Sequence, residues 1–81
     1  DMIDMIIETI RKGNKNAVTD GMVGLMACRT AIMGALLNVR INLGGINDPV
    51  FVAELKEKCD RIEKEALEKE SEMIDWVKSV I

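Results

Sequence analysis

The run from Thr19 to Leu43 constrains this chain more than any other feature. It holds no proline, carries an acid only at Asp20, and is apolar on nearly every face, so it reads as one long helix of the buried kind. Thr19 or Asp20 offers a preferred N-cap and Gly44-Gly45 a stop, which predicts a helix over 20–43. At about 100° per residue two unlike sides separate. Met22, Leu25, Met26, Met33, Leu36, Leu37 and Leu43 make a bulky side, together with Arg29 and Arg40. The opposite side is a seam of Asp20, Gly24, Ala27, Ala31, Gly34, Ala35, Asn38 and Asn42, whose small residues recur at alternating spacings of four and three. A glycine inside a helix costs up to about 1 kcal/mol against alanine. Gly21, Gly24 and Gly34 in a single helix therefore predict that another backbone approaches closely.

Two amphipathic helices flank this run. Ile3, Ile6, Ile7 and Ile10 fall at i, i+3, i+4 and i+7, predicting a helix over 1–12 closed by Gly13, with 13–18 as a loop. Asn47 or Asp48 followed by Pro49 is a strong start signal for a third helix, over 48–80. Its apolar stripe is Leu55, Cys59, Ile62, Ala66, Met73, Val77 and Val80. Glu54–Lys58, Glu57–Arg61, Asp60–Lys64 and Glu65–Lys69 are spaced for ion pairs along a solvated helix face. The expected fold is all-α: a helical bundle around a long buried central helix. Two amphipathic helices cannot cover both sides of a helix this apolar. The bulky side takes helices one and three, and the seam is left for something outside the chain. A stable monomer is not expected.

Composition removes the competing classes. Phe51 and Trp76 are the sole aromatics, Pro49 the sole proline, and β-branched residues never alternate in strand fashion. The 11 basic and 14 acidic residues give a net charge of −3, and only Arg11, Lys12 and Lys15 cluster, which argues against nucleic acid as a partner. There is no histidine, and Cys28 and Cys59 lie 31 residues apart in no metal-binding pattern, so no metal is expected. Both thiols read as reduced and buried, in a cytoplasmic protein. Met22 to Val39 is the most apolar stretch, but Arg29 and Asn38 within it argue against a membrane span. The chain opens at Asp1 already inside a helical pattern, as a piece of a longer protein would. No phosphate loop, GxSxG or Cys/His pair is present.

Two stretches carry a resemblance. Lys12–Asp20 reads KGNKNAVTD and Gly34–Phe51 reads GALLNVRINLGGINDPVF. Gly13-Asn14, Thr19-Asp20, Gly34-Ala35, Asn38-Val39-Arg40-Ile41-Asn42, Ile46-Asn47-Asp48 and Phe51 together resemble the cyclodeaminase/cyclohydrolase family of all-helical folate enzymes. Members of that family are longer and begin with further helices. The resemblance therefore implies that residues 1–81 are the C-terminal part of one all-helical domain whose upstream helices are absent.

The family's chemistry implies the rest. It opens or closes the methenyl bridge between two nitrogens of tetrahydrofolate, as a cyclodeaminase (a lyase) or a cyclohydrolase (a hydrolase). The bridge is a cation, so a carboxylate stabilises it while a positioned group moves protons through a tetrahedral intermediate. Asp20 is the candidate catalytic residue; at a helix N-terminus its charged form is favoured, and its plainer reading is an N-cap. Asn38 and Asn42, one turn apart on the seam, are candidates for hydrogen bonds to the pterin edge, or for hydrogen bonds between helices. Asn14, with Asn16 beside it, is a candidate substrate contact or a turn residue. Lys12 and Lys15, with Arg11, suit the anionic glutamate tail of a folate, or are solvated loop charge. Arg29 and Arg40 on the bulky face read as snorkelling or salt-bridged rather than ligand-binding. No cofactor is held permanently; a tetrahydrofolate derivative is the substrate. The implied protein partner is a second copy in a homodimer, or a complementary N-terminal fragment. A non-catalytic assembly module packing through its seam is the alternative.

Overall fold

The computed structural model describes residues 1–81, the side chains of residues 15 and 16 excepted. Three helices follow one another: α1 (Met2–Lys12), α2 (Lys15–Leu43) and α3 (Pro49–Val80). The all-α expectation holds. Each helix begins on a side-chain cap of the type its sequence offers. Asp1 accepts from the Asp4 N–H at 2.8 Å, Asn14 from Ala17 at 2.9 Å and Asp48 from Phe51 at 3.2 Å, with Pro49 in the first turn of α3.

The central helix starts five residues before the expected position 20. Asn14 takes the capping duty assigned to Thr19 or Asp20, and the expected loop over 13–18 contracts to Gly13 and Asn14. The reason is local: once Asn14 satisfies the first free N–H, nothing between it and Asp20 breaks a helix. Gly13 closes α1 in an extended conformation, φ −85° and ψ 165°. A Cβ there would lie 2.9 Å from the Ala17 Cβ, so the position needs room rather than a left-handed backbone.

α3 runs antiparallel to α2, since Arg29 pairs with Glu70 while Arg40 pairs with Asp60 and Glu63. α1 lies across their other end, where Ile3, Ile10, Val18, Met22, Leu25, Ala66, Met73 and Val77 form the core. Toward the far end only α2 and α3 continue, closing over Leu36, Leu43 and Cys59. The result is a rod of 51 × 18 × 15 Å. Cys28 and Cys59 are free thiols; Cys59 is buried as expected and Cys28 is half-buried, 3.6 Å from the Met2 sulfur.

None of the four expected ion pairs along α3 forms among the described residues, where Lys64 meets Glu68 instead, and two of the four give way to pairs between helices. Asp60 turns to Arg40 at 2.9 Å rather than to Lys64, and Lys69 reaches Asp4 at 2.9 Å and Asp1 at 3.6 Å rather than Glu65. Arg29 Nε donates to Glu70 at 2.7 Å. Arginines that leave α2 on its buried side need an acceptor there, and α3 supplies carboxylates at those levels. The Lys69 hydrogen bond, aided by its charge, holds the Asp4 carboxyl below the usual range. Glu63 first, then Asp60, holds the Arg40 guanidinium still more firmly charged.

α2 is not buried all round. Val18, Met22, Leu25, Leu36 and Leu43 are covered, whereas Val23, Leu37 and Ile41 are 64%, 54% and 76% exposed.

Candidate functional site

The seam lies open. Asp20, Gly24, Ala27, Ala31, Gly34, Ala35, Asn38 and Asn42 are all exposed along α2. A Cβ built on Gly24 or Gly34 meets nothing within 4 Å, while one built on Gly21 would run into the side chain of Ile10. The predicted close approach is thus made by α1 at Gly21. At Gly24 and Gly34, nothing among the described residues makes it.

Asp20 and Asn38 sit 18 positions apart, five turns at ~3.6 residues each, so they occupy one line along the helix about 27 Å apart. Asn42 stands one turn beyond Asn38 and donates its amide to the Asn38 carbonyl at 2.9 Å, with the Asn38 side-chain oxygen at 3.5 Å. The two asparagines therefore form one polar group at the far end of the seam. Asp20 forms another at the near end, and the fold does not bring the two together. The helix-end electrostatics expected to favour the Asp20 carboxylate act in the first turn of α2, and Asp20 lies beyond it.

The remaining candidates separate as well. The Asn14 oxygen is engaged as the α2 cap. Lys12, at the end of α1, donates to Glu8 at 2.8 Å in full solvent. Lys15 and Asn16 lie outside the residues whose side chains are described.

A groove of about 330 Å³ borders the seam and was not foreseen. Met2, Met5, Ile6 and Thr9 of α1 wall it on one side, Gly21 and Gly24 on the other. Its sequence signal was Gly21 and Gly24 three residues apart, on the edge of α2 that α1 approaches. Met2 and Met5 are 67% and 70% exposed there, so these two methionines do not fill the core. Among the described residues no three potential ligands gather as a metal site. By length and composition Ala17–Leu43 could cross a membrane, yet this helix ties two arginines to carboxylates of the highly charged α3.

Fold and surface together define an open, all-helical unit whose central helix leaves a small-residue face exposed. The chain belongs to the formiminotransferase-cyclodeaminase family, whose profile matches residues 1–61. It is also 27% identical, over all of its 81 residues, to the methenyltetrahydrofolate cyclohydrolase of Methylorubrum extorquens, of which it spans 39%. No solved structure matches it. It is thus related to the cyclodeaminases and cyclohydrolases of folate one-carbon chemistry, and the family match contains the whole seam with Asp20, Asn38 and Asn42.

Proposed function

We propose that this chain is the C-terminal part of a folate one-carbon enzyme that opens or closes the methenyl bridge of tetrahydrofolate in the cytoplasm, with further helices upstream completing the domain. The observation that carries the reading is the state of Asp20 in a chain of this family. Its plain role as a helix cap is filled by Asn14, and its side chain is exposed on the face that lacks a cover. A carboxylate free of structural duty can accept the proton that water or ammonia sheds as it adds to the bridging carbon of the cationic methenyl group, leaving a neutral tetrahedral intermediate. Asn38 and Asn42 present amides for the pterin edge, and Lys12 and Lys15 suit the glutamate tail. The folate is substrate rather than resident cofactor.

Titration with 5,10-methenyltetrahydrofolate tests the reading, followed through Trp76, which is half-buried against the core that includes Val18 and Met22. Saturable quenching that Asp20→Asn weakens tenfold or more, with helicity unchanged, is the expected result. Wild-type affinity in that variant would return Asp20 to a surface residue. The alternative is a helical assembly module without catalysis, favoured by the exposure of Val23, Leu37 and Ile41 beside the seam. That reading expects association through this face and no folate binding.

A further inference from the structure

We propose that the cavity at the turn between α2 and α3 takes the glutamate tail of the substrate, Lys56 holding a tail carboxylate and Asn47 the amide that joins the tail to its aryl ring; this rests on the folate reading and extends it. The cavity measures about 520 Å³, within the ~300–1,000 Å³ of small-molecule sites. Leu43, Ile46, Pro49 and Val52 give it apolar walls, and Asn47 and Lys56 stand among them. That lining matches an acylated amino dicarboxylate, which offers methylenes and an aryl group to the walls, a carbonyl to an amide N–H and carboxylates to a cation. Apolar walls also exclude part of the water that would screen the pair, and so strengthen it.

Lys56 is the cation of α3 that the fold leaves unanswered. Every other cation of this helix has an acid three or four positions away that is not drawn to an arginine. One turn from Lys56 stand Val52, Ala53, Cys59 and Asp60, and Asp60 is taken by Arg40 at 2.9 Å. Lys56 makes no ion pair, and the Asn47 side chain no hydrogen bond, among the described residues. The acid that does line the cavity, Asp48, caps α3 by accepting from the Phe51 N–H at 3.2 Å, where the positive end of the helix offsets its charge. The cavity thus keeps a cation whose partner must come from outside the chain.

Position along the rod decides between Lys56 and the lysines near the start of α2. Leu43 and Gly44 of the cavity follow Asn42 directly, and the Asn42 carbonyl accepts the Gly45 N–H at 3.3 Å. Lys15 opens the same helix 27 positions before Asn42, which is about 40 Å at ~1.5 Å per residue. A folate whose pterin edge lies on Asn38 and Asn42 of a chain therefore brings its tail to the turn of that chain and not to its Lys12 and Lys15.

Two ligands besides 5,10-methenyltetrahydrofolate separate the tail from the rings. 5,10-Methenyltetrahydropteroate has the same rings without glutamate, and 4-aminobenzoylglutamate has the tail without the pterin. At low salt the folate should bind the 81-residue chain about fivefold more tightly than the pteroate, the upper range for an accessible ion pair. The advantage should fade as salt is added. Lys56→Gln should remove it, with helicity and pteroate affinity unchanged. Backbone amide shifts on addition of 4-aminobenzoylglutamate should concentrate at residues 44–47. An advantage that survives Lys56→Gln, or that disappears instead in a Lys12→Gln, Lys15→Gln chain, would overturn the tail site, as would equal affinity for the two methenyl compounds. Shifts at the turn with 4-aminobenzoylglutamate, in a chain that binds neither methenyl compound, would overturn the folate reading and leave the cavity as a site for an acylated amino dicarboxylate. A chain that binds none of the three overturns both.

Discussion

The two sides of α2 belong to one helix, are similarly apolar, and meet opposite fates. On one side Met22, Leu25 and Leu36 are buried and Arg29 and Arg40 find carboxylates on α3. On the other, glycines and alanines lie in solvent, with room for a Cβ at Gly24 and Gly34. Apolar character alone therefore does not report burial within the chain. Bulk does, because the buried side gains in proportion to the area it hides from α1 and α3. Small side chains hide little area and instead let another surface come near. The charges agree: both arginines of α2 leave from the bulky side, where acceptors exist.

Substitutions on the two sides should break this contrast most clearly where burial is complete. Leu25 is 1% exposed, and Leu25→Ala should cost about 2–5 kcal/mol in urea unfolding, through lost transfer free energy and the cavity left behind. Removal of a charged partner comes next. Glu70→Gln leaves the half-buried Arg29 without its carboxylate and should cost about 1–3 kcal/mol by the same measurement. An equal loss in an Arg29→Met variant, which keeps an apolar stem without the charge, would assign the effect to the pair, whereas no loss there would show that packing of the stem suffices.

The same substitution one turn apart sharpens the comparison. Gly21→Ala places a methyl against buried Ile10 and should destabilise by about 1–3 kcal/mol. Gly24→Ala places its methyl in open space and, in dilute protein, should stabilise by up to about 1 kcal/mol through helix propensity. Thermal unfolding of the two variants should move in opposite directions. Movement in the same direction would mean that the two faces are not as different as their surroundings indicate.

The smallest effect concerns pH. The folded Asp4 carboxyl titrates below its unfolded counterpart because Lys69 hydrogen-bonds its charged form. Its stabilisation is therefore fully present above the ordinary carboxylate range and is lost as pH falls through the lowered folded value. Asp4→Asn should flatten the upper part of the acid limb of a stability profile and change little at neutral pH beyond the loss of one exposed ion pair. An unchanged acid limb would remove Lys69 as the cause.

Local patterns were the most legible. Pro49 after Asp48, the isoleucine spacing of α1 and the separation of bulky from small residues on α2 depend on neighbours within a turn or two, and the fold follows them. The start of α2 was misplaced because Asn14 and Asp20 are both good caps, and the sequence does not say which will be used. The α3 pairs at Asp60 and Lys69 were misread for a related reason. Spacing along one helix shows which charges can meet there, whereas the competing partners Arg40 and Asp4 lie 20 and 65 positions away. Of the candidate site, the line from Asp20 to Asn38 and the Asn38–Asn42 group could be read from helical spacing. The duty of Asn14, the groove beside Gly21 and Gly24, and the exposure of the methionines could not.

What the sequence by itself determined is each helix and the division of α2 into a bulky and a small side, because backbone hydrogen bonding and side-chain size act over a few residues. What only the tertiary structure decided is which side α1 and α3 cover, which charges they exchange, and that Asp20 stays open on the uncovered face. Those outcomes depend on competition between partners distant in sequence, settled by where bulky surface can be buried and where a half-buried charge can be answered.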